Sequence, residues 1–322
     1  MSHSEASGGR VEDISRSSED VQLDWREARE RLKEFREAKN RDSLTVLKIG
    51  KPLVEKNRSR LGDELWIVFE QLFLAALDCG KQKLAQFYSD ELKRQFPKSL
   101  RVRRLRGMYL ESIENYDEAL EVYDEILKED STYGLARKRK VAVLKAKQDV
   151  AEAIEALTEY LKDFMSDHEA WLELADLYIS QLDFKHAAFC MEELILVNPH
   201  MPLFHQRYAE ILYSMGGTDN MELARKYFAQ ALKLNPDSTR SLCGFFMASS
   251  ALKSKKDSKS MATWAQEKLL KAYTEKDSEL RGIAEKVMQS VLSGTEKETR
   301  KPQPQRVEVS EFEFKMNTGQ SV

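Results

Sequence analysis

The sequence predicts an all-α, superhelical solenoid of repeated helix pairs, with helical caps and disordered termini. Three observations carry this expectation. Ala85, Ala119, Ala153, Ala187 and Ala224 recur at intervals of 34, 34, 34 and 37 residues in matching surroundings. A fixed period of this size marks units that bury their apolar faces only against neighbouring units. An interval of twelve separates Ala85 from Pro97, Ala187 from Pro199 and Ala224 from Pro236. Finally, 322 residues contain only 13 glycines and 7 prolines, which favours long helices over a turn-rich β protein.

Residues 168–201 show the unit most clearly. Trp171, Leu174, Ala175 and Tyr178 share one helical spacing, and Ala187, Met191, Leu194 and Pro199 follow after a short turn. This is the tetratricopeptide (TPR) pattern, in which small residues at positions 8 and 20 let two antiparallel helices approach closely. Proline at position 32 cannot continue the second helix and so marks the next turn. The frame stays in register at 66–99, 100–133, 134–167 and 202–238, although Phe73 fills the usually small position 8 of the first unit. The last unit carries three extra residues, which the spacing assigns to the inter-helix loop around Gly216-Gly217-Thr218-Asp219.

In chain order, the expected organisation begins with a disordered extension at 1–20 and a helical cap at 21–65. Five helix pairs follow over 66–238, then a C-terminal repeat or cap at 239–293 and a disordered tail at 294–322. Leu23–Asn40 and Leu44–Lys56 supply the first cap. After Leu242–Leu252, a lysine- and serine-rich loop at 253–260 precedes helices near 261–275 and 278–293. The charged end helices are expected to give the solenoid its polar outer faces. Within the tail, Val307, Val309, Phe312 and Phe314 form a short apolar pattern, read as solvated chain in preference to a segment that docks onto another surface.

Composition excludes several function classes. A formal charge of −3 argues against general nucleic-acid binding. Cys79, Cys190 and Cys243 read as small core residues in a reducing compartment. The N-terminus shows no basic stretch followed by an apolar one, so no secretory signal is expected. The most apolar run, Leu65–Leu77, is interrupted by Glu70 and Gln71 and is shorter than the roughly 20 residues a bilayer span needs. No metal-ligand, phosphate-loop or nucleophile motif is present, and no cofactor or catalytic residue is assigned. His200 and His205, five apart at a repeat junction, do not have zinc-ligand spacing.

Charge is distributed unevenly. Segments 100–113 and 134–147 hold ten basic residues against one acid, Glu111, while the intervening helix is strongly acidic. First helices of a TPR superhelix line its concave face through positions 2, 5, 9 and 12. That frame turns Arg101, Arg104, Lys138 and Lys145 toward the groove, followed by Glu169 and Asp176. Two readings stay open: a solvated face with intrachain ion pairs, or a polarised groove that orients a partner segment. Position 9 is Met108, Ala142, Asp176 and Glu210 in turn, which lacks the asparagines of carboxylate-clamping chaperone adaptors.

Beyond the repeat consensus, the chain resembles the subunit 2 family of the endoplasmic reticulum membrane protein complex across roughly 23–290. The resemblance rests on Leu61-Gly62-Asp63-Glu64-Leu65-Trp66-Ile67-Val68, Arg94-Gln95-Phe96-Pro97, Arg137-Lys138-Arg139-Lys140, Glu169–Tyr178 and Arg225–Leu234. It implies a non-catalytic scaffold on the cytoplasmic face of that membrane, attached through other subunits. Such a scaffold would hold cytosolic segments of membrane-spanning subunits and a globular cytosolic subunit, supporting insertion of tail-anchored and multipass proteins. The alternatives are a generic TPR adaptor of co-chaperone type in another assembly, and RNA binding by the basic helices. The latter lacks an aromatic stacking platform.

Overall fold

The structure, a computed structural model, describes residues 23–252, 256–275 and 279–293. The expectations for 1–20 and 294–322, including the apolar pattern of Val307 to Phe314, lie outside the described residues. Two compact units divide the chain, one ending at Ala170 and the other beginning at Trp171. Among the described residues both contain helices and no strand.

The first unit contains α1 (Trp25–Glu37), α2 (Ser43–Asn57), a 3₁₀ turn at Arg58–Arg60, α3 (Glu64–Asp78), α4 (Gln82–Gln95), α5 (Leu100–Ser112), α6 (Tyr116–Glu129), α7 (Gly134–Ala146) and α8 (Val150–Asp163). Each α-helix packs on its sequence neighbours, and α5 also touches α7, so successive first helices stack. Asp42 and Ser99 cap α2 and α5 by accepting the N–H bonds of Thr45 and Val102. Ala85, Ala119 and Ala153 are fully buried, as close helix approach requires. Gly107 on α5 meets Tyr123 of α6, where an added Cβ would stand 2.5 Å from ring Cζ. In the unit with Phe73 at position 8, a tight approach lies instead between α2 and α3. A Cβ on Gly50 there would stand 2.4 Å from Leu72 Cδ2.

The second unit continues with α9 (His168–Ser180), whose first three residues fall in the first unit. It then contains α10 (Phe184–Val197), α11 (Pro202–Met215), α12 (Thr218–Leu234), α13 (Thr239–Ala251), α14 (Lys256–Glu275) and α15 (Arg281–Ser293). Neighbours from α10 to α15 pack in sequence, and α11 touches α13. Ala187 and Ala224 are again fully buried.

The turn that ends each first helix repeats with the period. Gly80, Glu114, Gln148, Leu182 and Gly216 all have φ between 59° and 73°. After the first four, the next N–H reaches back five residues, Lys81 to Ala76, Asn115 to Leu110, Asp149 to Leu144 and Asp183 to Tyr178, at 2.8–3.0 Å. This left-handed C-cap closes a first helix and reverses the chain within three residues. Three of the five positions carry side chains, so the motif is invisible to a search for glycine.

Two sequence expectations are corrected. The three extra residues of the last unit do not lengthen the loop; they extend α12 to 17 residues, against 14 for α10. Gly216 and Gly217, with φ 73° and 83°, turn the chain at once. The Met221 N–H and the Asn220 side chain then bond the carbonyls of Gly217 and Gly216, starting the helix early. Of the loop expected at 253–260, residues 256–260 are instead helical, because α14 begins at Lys256. Asp257 in its first turn suits the helix dipole, and buried Ser258 takes a 2.9 Å bond from Arg225 of α12.

Candidate partner-binding surface

The first-helix residues singled out by charge are largely engaged inside the chain. Arg101 of α5 bonds Glu70 of α3 through Nε at 3.0 Å and Nη2 at 2.8 Å, while remaining two-thirds exposed. Arg104 is mostly buried, with Nη2 4.0 Å from the same carboxylate and Nη1 3.9 Å from Met108 Sδ. Lys138 of α7 is paired with Asp167 and lies 5.7 Å over the Tyr160 ring. Lys145 and Glu169 are exposed, on the last turn of α7 and the first turn of α9. In the second unit, Asp176 of α9 is bonded by Arg207 of α11.

These pairs follow a rule. A base on one first helix reaches a carboxylate on the preceding first helix, about one repeat earlier. Arg101 meets Glu70 and Arg139 meets Glu111 in the first unit; Arg207 meets Asp176 and Arg240 meets Glu210 in the second. Second helices supply most of the rest: Arg103 pairs with Glu129, Arg137 with Asp163, Lys140 with Asp124 and Lys147 with Asp117, while Lys138 pairs with Asp167 in the turn before α9. At least eight of the ten bases in 100–113 and 134–147 are therefore in ion pairs, among them Arg101, Arg103, Arg104, Arg137, Lys138, Arg139, Lys140 and Lys147. The intrachain pairing is extensive.

Two carboxylates anchor deeper networks. Glu111 accepts from the buried Tyr123 hydroxyl and from Arg139. Burial first, then the Glu111 charge, raises the Tyr123 pKa. Asp167 accepts from Lys138, from Tyr160 Oη at 2.8 Å and from the Ala170 N–H at 3.2 Å. Burial, the largest single influence, pushes its carboxyl up, yet these bonds together hold it below 3.8. The groups are structural in placement, since each ties adjoining helical elements together.

Charge reasoning missed an apolar component on the same helices. Position 2 is occupied by Ile67, Arg101 and Leu135 on α3, α5 and α7, and by Leu203 on α11. Ile67 is 49%, Leu135 55% and Leu203 42% exposed, so one repeat position leaves large aliphatic side chains uncovered several times over. The signal was available in the sequence, because these residues are spaced by the repeat length. In the first unit, exposed isoleucine and leucine thus flank exposed Arg101 on stacked helices.

Other candidate chemistry resolves into packing. His205 is buried, its Nε2 is 2.7 Å from the Pro199 carbonyl, and its ring stacks on Tyr227. Burial pushes the Cys190 thiol up to about 12, which keeps it protonated. Among the described residues, no group of three or more His, Cys, Asp or Glu side chains is arranged to hold a metal ion. Nor is any helix among them long and apolar enough to cross a membrane.

Stacked helix pairs, buried alanines at the repeat period and recurring left-handed turns define the class: a tetratricopeptide-repeat protein. A family model, the EMC2 TPR-like repeat domain, matches residues 96–234. ER membrane protein complex subunit 2 of Xenopus tropicalis is 47% identical over 81% of this chain and 90% of its own length. The protein of that name in Dictyostelium discoideum is 36% identical over 66% of this chain and 67% of its own. The chain belongs to the ER membrane protein complex subunit 2 family. Its fold is also shared by the solved C-terminal part of a TPR repeat-containing protein from Cytophaga hutchinsonii. That similarity has TM-score 0.59 and 14% identity, covering 81% of this chain and 99% of the other.

Proposed function

We propose that this chain is a non-catalytic scaffold subunit of the ER membrane protein complex, attached to the cytoplasmic face of the membrane through other subunits. Its first-helix surface holds cytosolic segments of membrane-spanning subunits, and the same chain contacts a globular cytosolic subunit. In this role it supports insertion of tail-anchored and multipass proteins. The family supports the assembly, and the observation that carries the surface is the exposed Ile67–Arg101–Leu135 row on α3, α5 and α7. Aliphatic side chains beside a cation suit a segment with apolar anchors and an acidic residue. Arg104, Lys138, Lys145 and Glu169 form the polar surroundings that set orientation in the first unit, and Asp176 belongs to the first-helix surface of the second.

The test uses positions whose loss leaves the helices intact. Arg104 and Lys138 are poor choices, because reversing them sets a new carboxylate against Glu70 and Asp167. Ile67→Glu with Leu135→Glu removes exposed groups only. The expected result is a folded protein that no longer co-purifies with integral membrane subunits from mild detergent and no longer sediments with microsomes. Undiminished recovery of every membrane subunit refutes the first-helix surface as their site. The generic-adaptor alternative gains support if the unmodified chain fails to sediment with microsomes at all.

A further inference from the structure

A second surface lies away from the first-helix row. Between the start of α2 and the turn joining α3 to α4 is an open cavity of about 640 Å³. Four lysines line it, Lys48 and Lys51 from α2 and Lys81 and Lys83 from the turn and α4, and no acidic residue does. All four are exposed. Leu44, Leu47 and Leu84 supply apolar wall, and Leu44 is 62% exposed.

The carboxylates at this end of the unit are already engaged. Asp78 accepts a double bond set from Arg41, at 2.8 and 2.6 Å, and a 2.6 Å bond from Ser43. Asp42 caps α2 through the Thr45 N–H, and its charge reaches Lys48 only as the smallest of the influences on its carboxyl. Glu55 touches the cluster only through Lys51, at 3.9 Å in an exposed pair one turn apart, a contact worth little. Four like charges around one cavity repel each other, and an anionic occupant relieves that repulsion. The contrast with α5 and α7 is direct, because there nearly every base has its own acid.

We propose that this cavity docks an acidic segment of a partner protein that interleaves leucine-like side chains with Glu or Asp. The carboxylates meet the lysines, and the aliphatic groups cover Leu44 and Leu84. Several features disfavour a phosphate group as occupant. The cations are all lysines, without the planar fork that grips phosphate in two places, and a phosphate leaves the aliphatic wall uncovered. A concave site also suits an inserted peptide better than a flat lipid surface. The inference does not depend on the first-helix row, since it uses α2, the α3–α4 turn and the start of α4.

The experiment measures fluorescence anisotropy with the full chain and a labelled peptide of about twelve residues built from Leu-Glu-Glu triplets, a length able to span such a groove. Saturable binding is expected, weakened about tenfold or more by Lys48→Glu with Lys81→Glu, in keeping with removal and reversal of two close charge contacts. A peptide with the same glutamates but serine for leucine is expected to bind more weakly, and Leu44→Ser to weaken the leucine peptide. Circular dichroism checks that the variants fold, which their exposed positions favour. Equal binding by the double lysine variant overturns the proposal, as does equal binding of the serine peptide. Binding to phosphatidylserine vesicles without peptide binding overturns it in favour of a membrane contact. A gain in peptide affinity on removing residues 294–322, which carry Glu308, Glu311 and Glu313 among Val and Phe, overturns the partner assignment in favour of the chain's own tail.

Discussion

Substituting Gly107 by alanine tests the close approach on which the repeat depends. An added Cβ would lie 2.5 Å from Tyr123 Cζ, 2.6 Å from Cε1 and 2.7 Å from Oη. Comfortable carbon contacts are near 3.5–4.0 Å, so the ring must withdraw by about 1 Å. It has nowhere easy to go. Tyr123 is fully buried, and its hydroxyl is held by Glu111, which Arg139 also bonds at 3.0 Å. Overpacking costs about 1–3 kcal/mol. Displacing the hydroxyl from a charged acceptor adds about 1.5–3 kcal/mol, and the better helix propensity of alanine returns about 1 kcal/mol. The expected destabilisation is therefore about 3 kcal/mol. Guanidinium unfolding followed by circular dichroism measures it, in the full chain so that neighbouring repeats contribute as they do natively. Tyr123→Leu provides the control: Gly107→Ala made on that background should cost less than about 1 kcal/mol, since the clash is gone. A Gly107→Ala protein within about 0.5 kcal/mol of the parent, or full additivity with Tyr123→Leu, refutes the steric account.

Other substitutions probe the turns and the ion pairs. Leu182→Gly should stabilise the second unit by about 0.5–1 kcal/mol, because relieving a left-handed non-glycine residue outweighs the entropy of glycine; a fall in the thermal midpoint contradicts this. The side chain sacrificed is 69% exposed and packs little. The Arg41 hydrogen bond, partly opposed by burial and aided by Ser43, holds the Asp78 carboxyl below 3.8. Its folded pKa is depressed, so its stabilisation is complete above pH about 4 and is lost as pH falls through the folded value. The midpoint difference between the parent and Asp78→Asn should thus shrink on acidification below pH about 4, and a constant difference counts against the linkage. Glu91 of α4 is paired with both Arg58 and Arg94, and removing both cations should destabilise by about 2 kcal/mol, since it leaves that carboxylate unpaired. That carboxylate is only 9% exposed and lies 2.6 Å from Arg58. The single variants should cost less than half as much.

The repeat was legible because its physics is periodic. Buried alanines at 85, 119, 153, 187 and 224 must recur wherever two helices touch, and all five have no exposed surface. The left-handed turns recur just as regularly, yet only two of five are glycine. Packing tolerates a strained Glu114, Gln148 or Leu182 there, so composition does not reveal them. The insertion was found but misplaced, since a count of residues does not say whether a loop or a helix absorbs them. Here the consecutive glycines made a short turn possible, and Asn220 closed it.

A basic helix is not a basic surface, and this distinction explains why the candidate site was only half legible. The charges of α5 and α7 were conspicuous because ten bases faced one acid in sequence. Their partners Glu70, Asp163 and Asp167 lay outside the two segments, and Asp117, Asp124 and Glu129 lay on the acidic helix between them. Alternating basic first helices with an acidic second helix thus joins repeats to one another, with the field cancelling over a few ångströms. Charge available to a partner is what remains after that cancellation. By this criterion, the four lysines around the α2–α4 cavity outrank the more basic α7, though their segment drew no attention in sequence. Apolar exposure obeys a parallel rule: Ile67 and Leu135 matter because no neighbouring repeat covers them, although hydrophobicity alone would place them in the core. On the proposed reading, recognition on such a solenoid is carried by departures from repeat-to-repeat complementarity, which three-dimensional neighbours expose and a linear count does not.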